Sequence, residues 1–268
     1  MTGVASSALR VEGLVKSFAG VRAVDDLSIE IEAGRITGLI GPNGSGKSTT
    51  IDCITGFSRP DAGRVTLGGQ DITGLPAHRV ALAGMTRTFQ NVRVYERLSV
   101  LENLLVAAHE LRRFDWWTLF RGAAAATEAE QRLRRRAHEL LELVSLSRLA
   151  QAPAGILSYG QRKLVALGMS LMSAPKIIIL DEPLAGVNPT IINMISRTVA
   201  DLNAHGQTFL IVEHNMDFIM KHCDRVVVLD SGRLLAEGPA EVVREDERVL
   251  AAYLGGKKPA EVVHAGIA

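Results

Sequence analysis

A chain of 268 residues has room for one large α/β domain or two small ones. Its formal net charge of +1 gives no whole-molecule argument for nucleic acid or an anionic membrane, and 47% apolar against only 4% aromatic residues suits aliphatic parallel strands covered by helices. Cys53 and Cys223 stand alone in apolar stretches without metal-ligand spacing, and read as buried free thiols of a reducing compartment. The start, Met1 to Ala8, lacks the basic region and apolar core of a signal peptide, and no apolar run approaches the ~20 residues of a membrane helix. A cytosolic location is expected unless a partner docks the chain to a membrane.

Residues 8–41 read as successive strands, with period-two patterning clearest in Leu27–Glu32. The last of them, Arg35–Ile40, runs into Gly41-Pro-Asn-Gly-Ser-Gly-Lys47-Ser48-Thr49 and then a segment that continues as a helix. This strand–loop–helix context is what the pattern G-x-x-x-x-G-K-[ST] requires of a phosphate-binding P-loop. Its glycines turn backbone amides inward as a nest, and the helix start adds a positive dipole end. Asn43, Gly44, Ser45, Gly46, Lys47, Ser48 and Thr49 are the expected cradle, with Lys47 neutralising phosphate charge and the Ser48 hydroxyl ligating Mg2+. Beyond it the pattern predicts a hairpin element at Gly63–Gly69, a helix over 76–83, a strand over 85–89 and a helix over 99–110.

Residues 110–155, rich in Arg, Ala and Glu, have helical spacing and no strand pattern, and Pro153 and Gly155 end them. The arginines at 132, 134, 135 and 136 alternate with Glu128, Glu130, Glu139 and Glu142, which predicts a solvated, salt-bridged helix face and no nucleic-acid site. From Ser158 helices over 159–173, 189–204 and 215–222 alternate with strands over 176–181, 207–213 and 225–230. Such alternation predicts a helix-covered, largely parallel sheet interrupted by one helical insertion. A hairpin and short helices follow over 231–254, and the tail 255–268 reads as mobile.

Ser158 with Gln161 fits a capping box, which accounts for both residues structurally. The same Gly160-containing helix start also offers amides to an anion, and the segment alone leaves both readings open. The apolar strand Lys176–Leu180 ends in Asp181-Glu182-Pro183, which places two carboxylates at the mouth of the sheet, where open α/β folds bind ligands. Asp181 suits Mg2+ and Glu182 suits a base for the attacking water, although an Asp-Glu turn before proline is common by itself. His214 ends the next strand, as structural histidines also do, and Gln90 follows the strand over 85–89. The argument lies in the coincidence that Lys47, Gln90, Asp181 and His214 all follow the carboxyl ends of strands expected in one parallel sheet.

Together these residues resemble an ATP-binding cassette (ABC) ATPase over about residues 8–254. The P-loop, Gln90, Leu157-Ser-Tyr-Gly-Gln161, Ile177–Glu182, Ala185-Gly-Val-Asn188 and His214 stand in that family's order and approximate spacing. The resemblance implies an α/β P-loop fold with a mixed sheet core, an antiparallel β subdomain and an α-helical subdomain inserted over about 95–170, all in one domain spanning 1–254. It implies ATP and Mg2+ as cofactors, with Ser48, Gln90 and Asp181 toward the metal and Glu182, His214 and Gln90 as catalytic residues. Phe18 falls where the family stacks an aromatic on adenine. Ser158, Gly160 and Gln161 fall where it contacts the γ-phosphate held by a second subunit. Tyr159 and Asn188 depart from the commonest pattern, which has Gly and Asp there.

A narrower likeness, carried by Arg87-Thr-Phe-Gln90-Asn-Val-Arg93, Leu98–Leu104, the long insert, Ala185–Pro189 and Ala252–Gly255, is to the larger ATPase of branched-chain amino-acid importers. ATPases of urea or short-chain amide uptake and of lipopolysaccharide export are also similar. The likeness implies a second ATPase subunit in a heterodimer or homodimer, membrane permeases, an external solute-binding protein acting indirectly, and a peripheral place on the cytoplasmic face of the inner membrane. The surface from Gln90 to Arg97 is the expected permease dock, with Trp116–Trp117 as a peripheral anchor to permease or lipid. Soluble ABC ATPases of nucleic acid or ribosomes carry paired cassettes, coiled coils or zinc inserts that this chain lacks. A P-loop kinase needs neither the 157–161 segment nor His214.

Overall fold

The structure, a computed structural model, describes residues 7–88, 94–110 and 123–254. Its strands in chain order are β1 (Ser7–Phe18), β2 (Val21–Glu32), β3 (Ile36–Ile40), β4 (Ala62–Leu67), β5 (Gln70–Asp71), β6 (Met85–Thr88), β7 (Ile177–Asp181), β8 (Thr208–Val212), β9 (Arg225–Asp230) and β10 (Arg233–Pro239). The α-helices are α1 (Lys47–Ile54), α2 (Ala77–Ala83), α3 (Val100–Glu110), α4 (Ala123–Leu143), α5 (Tyr159–Leu171), α6 (Pro189–Ala204), α7 (Met216–His222), α8 (Ala240–Arg244) and α9 (Glu247–Leu254).

The strands form two sheets. One is antiparallel in the order β2-β1-β4-β5, and the other runs β10-β9-β3-β8-β7-β6. In the second, β9, β3, β8, β7 and β6 pair in parallel, and β10 closes the edge by pairing antiparallel with β9. This is the mixed core with a separate antiparallel sheet that the family resemblance implies.

The strands between the two layers are apolar along their whole length because both faces are covered. Successive side chains alternate between two cores. Leu39, Ile177, Ile179, Leu210 and Val212 join the antiparallel sheet and α1 on one side. Ile40, Ile178, Leu180, Phe209 and Ile211 join the helices on the other. Cys53 and Cys223 are buried free thiols within these cores, as expected.

The helix predicted over 99–110 is α3, which starts at Val100 and packs against α4 and α5. Ser99 and Glu102 form a reciprocal capping box that starts α3. Fully buried Asn103 bonds both backbone groups of Tyr95, at 2.7 and 3.1 Å, which anchors the segment entering the helix. The arginine-rich face of α4 is salt-bridged through Arg132–Glu128, Arg134–Glu130 and Arg136–Glu139. No described helix is long and apolar enough to cross a membrane.

Candidate functional site

The register of the parallel sheet brings its strand ends level. Leu39 of β3 pairs with Val212 of β8, Asp181 of β7 pairs with the same Val212, and Thr88 of β6 pairs with Leu180. The P-loop, the Asp181-Glu182 pair and His214 therefore leave adjacent strands at one edge, as their positions in the sequence predict. Gln90 and Arg93 lie outside the described residues, as do Trp116, Trp117 and the tail 255–268. Of the expected dock, residues 94–97 are described, and Tyr95 is half exposed.

The P-loop owes its path to backbone that only glycine adopts freely. Gly46 has φ +95°, and a Cβ there would fall 2.3 Å from the carbonyl oxygen of Ala23. As the residue preceding α1 it supplies no side-chain cap, so the first amides of the helix keep their donors for a ligand. Asn43, Gly44 and Ser48 are exposed, Thr49 is half-buried and Ser45 is buried. Lys47 Nζ donates to the carbonyls of Gly41 (2.7 Å) and Pro42 (2.9 Å), and so lies along the loop. Burial pulls its ammonium below the ordinary lysine value, while the nearby Glu182 carboxylate opposes that shift. Lys47 and Glu182 thus share one electrostatic environment.

Asp181 is gripped by an arginine that the sequence reading left without a role. Arg87 Nη2 donates to Asp181 Oδ2 at 2.6 Å and Nε to the same oxygen at 3.2 Å, while Nη1 donates to Asp52 Oδ1 of α1 at 2.6 Å. One guanidinium thereby joins the P-loop helix to the end of β7. A charged residue inside the short strand β6 is the one signal that marks it in the sequence.

Glu182 adopts φ +47°, a left-handed conformation costing about 1–3 kcal/mol for a residue other than glycine. Its N–H donates to Val212 O at 2.9 Å, which keeps it in line with the sheet. His214 follows β8 with its side chain 66% exposed, and its Nδ1 is 3.8 Å from Glu213 Oε2. A solvent-facing ring at the strand end is free to meet a ligand, unlike a packed structural histidine. Phe18 is likewise 51% exposed at the β1–β2 turn, with Lys16 Nζ 5.2 Å from its ring centroid, and so is no core aromatic.

At the start of α5 both halves of the capping box form: Ser158 N–H donates to Gln161 Oε1 (2.9 Å), and Gln161 N–H to Ser158 Oγ (3.3 Å). Gly160 has a packing reason of its own, because a Cβ there would fall 2.7 Å from Ile191 Cγ1 of α6. Of the two departures, Tyr159 has its ring 5.4 Å from Lys163 Nζ, and Asn188 caps α6 by accepting from Ile191 N–H at 3.0 Å. Lys163 and Glu213 are two further buried charges that the sequence reading did not single out.

The donors fit Mg2+ shared with a phosphate. Ser48 and Asp181 offer hard oxygens, and no group of three or more His, Cys, Asp or Glu that could hold a metal occurs among the described residues. Mg2+ typically takes one or two protein oxygens and completes its octahedron with phosphate and water.

A family model described as ABC transporter matches residues 24–185, and one described as branched-chain amino acid ATP-binding cassette transporter matches residues 233–259. The chain is 40% identical to the high-affinity branched-chain amino acid transport ATP-binding protein BraF of Pseudomonas aeruginosa, over 92% of this chain and 97% of that protein. It is also 40% identical to the probable branched-chain amino acid transport ATP-binding protein LivG of Methanocaldococcus jannaschii, with the same coverage. Among solved structures, an ATP-binding cassette of an ABC transporter in its ADP conformation superposes with TM-score 0.81 at 40% identity, covering 93% of this chain and 99% of that one. A nucleotide-free cassette gives 0.80 at 39%, covering 92% and 98%.

Proposed function

The chain belongs to the ABC transporter family and is an ATPase, and from that premise we propose that it powers a membrane importer of branched-chain amino acids. The observation that carries the catalytic part is the level set of strand ends, with the P-loop, Asp181, Glu182 and His214 on adjacent strands. The solute is supported by the relatives' shared description and by the family match over residues 233–259.

In this reading the amides of residues 43–49 and Lys47 hold the phosphates of ATP, and Phe18 stacks on the base. Ser48 and Asp181, with Gln90, hold Mg2+, which supplies charge neutralisation on the phosphates. Glu182 takes the proton of the attacking water, and His214 contacts the γ-phosphate. Ser158, Gly160 and Gln161 complete the site of a second ATPase subunit. Residues 95–170 form the helical subdomain, and the surface from Gln90 to Arg97 meets the permeases. The chain then works at the cytoplasmic face of the inner membrane, with the external binding protein as an indirect partner.

The test is uptake of labelled leucine by cells lacking their own branched-chain importers and supplied with this chain and its co-encoded permeases and binding protein. Uptake is expected, and Glu182→Gln is expected to abolish it and to slow ATP hydrolysis by about 100-fold or more while leaving ATP affinity intact. Full turnover by Glu182→Gln refutes the base assignment. Restored uptake of urea or an amide in place of leucine refutes the solute.

A further inference from the structure

The left-handed turn at Glu182 runs against its local sequence. Proline at 183 steers the preceding residue toward extended backbone, yet Glu182 holds φ +47°. Such a conformation persists only where the surroundings fix it from several directions. A small cavity of about 20 Å³, lined in part by Lys163, Leu180, Asp181 and Pro183, adjoins the turn on either side of Glu182, so packing there is incomplete.

Two buried charges hold the turn instead. Lys163, only 7% exposed on α5, donates from Nζ to Glu182 O at 2.8 Å and to Pro183 O at 3.1 Å. Glu213, 1% exposed, accepts from Leu184 N–H through Oε1 at 2.8 Å and from His214 N–H through Oε2 at 3.1 Å. The two charges feel each other. Burial pulls Lys163 below the ordinary lysine value, and the carboxylates of Glu213 and then Glu182 oppose it. Tyr159 roofs Lys163 with its ring 5.4 Å from Nζ, and that ring also lies against Gly186, 3.3 Å from where a Cβ would stand.

We propose that Lys163 and Glu213 are positioning residues that together hold the Glu182–Leu184 turn in its hydrolytic geometry and tie it to the Ser158–Gln161 helix start on one side and to His214 on the other. The inference rests on Glu182 as the base. Lys163 belongs to the same helix as the segment assigned to the second subunit's nucleotide, so a shift of α5 on closure moves a donor that is bonded directly to the backbone of Glu182. Glu213 joins that turn to the backbone of His214. Arrival of one subunit's phosphate at Ser158 is thereby felt at the base of the other site through Lys163, and at His214 through Glu213, without a change in the P-loop.

The test compares Lys163→Met, Lys163→Arg and Glu213→Gln in the purified full-length chain. Steady-state kcat and KM for ATP, the Kd of trinitrophenyl-ATP and single-turnover hydrolysis are measured, the last also in a Glu182→Gln background. Lys163→Met is expected to lower kcat by about 10- to 100-fold, with KM and Kd changed by no more than about twofold. Lys163→Arg, which keeps the charge and donors, is expected to recover most of that loss. Glu213→Gln keeps the acceptor for Leu184 and loses the charge, and is expected to lower kcat by about 3- to 10-fold. It carries the test if Lys163→Met does not fold. In the Glu182→Gln background the further loss is expected to be under about twofold, since the residue acted upon is already gone. A loss that multiplies in both backgrounds, a change confined to KM and Kd, or unchanged kcat overturns the inference. Slow hydrolysis by Glu182→Gln with normal Lys163→Met and Glu213→Gln defeats this inference alone. Full turnover by Glu182→Gln defeats the base assignment and this inference with it.

Discussion

Replacing Arg87 with methionine isolates the contact between the P-loop helix and the end of β7. Methionine retains much of the apolar stem, so the change removes the charge and four side-chain bonds, two to Asp181 and one each to Asp52 and Thr55. Removing one member of a buried ion pair costs about 3–5 kcal/mol, chiefly because the other charge is left buried and unpaired. The side chains here are 10% and 14% exposed for Arg87 and Asp181, so some water remains and the lower end of that range applies. Asp52 is 40% exposed and resolvates readily, adding ~0.5 kcal/mol. The expected loss is therefore about 3.5 kcal/mol, which in a domain of this size lowers Tm by roughly 7–14 °C. Scanning fluorimetry on the nucleotide-free chain reads it directly. Asp52→Asn, which removes only the exposed arm, is expected to cost less than about 1 kcal/mol. A Tm unchanged by Arg87→Met shows that Asp181 needs no cationic partner there. Equal losses from the two variants place the strength of the contact on the wrong arm.

Two shorter predictions follow. Lys47→Ala removes a charge-assisted donor and is expected to weaken ATP binding by about 10- to 100-fold, read as the Kd of a fluorescent nucleotide; unchanged affinity refutes the cradle. Burial, aided by the neighbouring Asp224, pushes the Cys223 thiol up to about 12 from an ordinary 9.0. The unfolded chain therefore loses this proton first, and stability falls as pH rises above about 9. Urea midpoints of wild type and Cys223→Ala are expected to converge between pH 9 and about pH 11. A constant gap refutes the burial argument.

What the sequence made legible is what local rules encode. The P-loop is a conformational pattern, so its glycines announce a loop shape before any fold is known, and Gly46 has the positive φ that shape demands. Strand ends were legible because a continuous apolar run has to stop where charge begins, as Leu180-Asp181 and Val212-Glu213 do. Residues that act across long separations were not legible. Arg87 meets Asp181 across 94 positions, and Glu213 meets Leu184 across 29, so no periodicity links them. Lys163 was hidden for another reason: a lysine near a helix start normally reads as solvated, and only the tertiary fold buries it. The Ser158–Gln161 ambiguity persists in physical terms, since a formed capping box and an anion-ready helix start are the same local structure.

The two departures from the commoner family pattern bear on that buried cluster. Asn188 caps α6 as an aspartate does, so the missing charge changes the field around the segment after Glu182 and leaves the helix start intact. Tyr159 has a different consequence. A glycine at that position supplies no ring over Lys163 and no contact against Gly186, so Lys163 would face solvent and its grip on the Glu182 carbonyl would compete with water. The tyrosine therefore shields a polar contact that its alternative leaves wet, and a hydrogen bond is worth more where water is excluded. The bulk at 159 that looks like an obstacle at the helix start is, on the inner side, a lid over the lysine that holds the turn. Tyr159 and Lys163 are consequently coupled: the cost of Tyr159→Gly in hydrolysis depends on a lysine at 163, and is absent once methionine stands there.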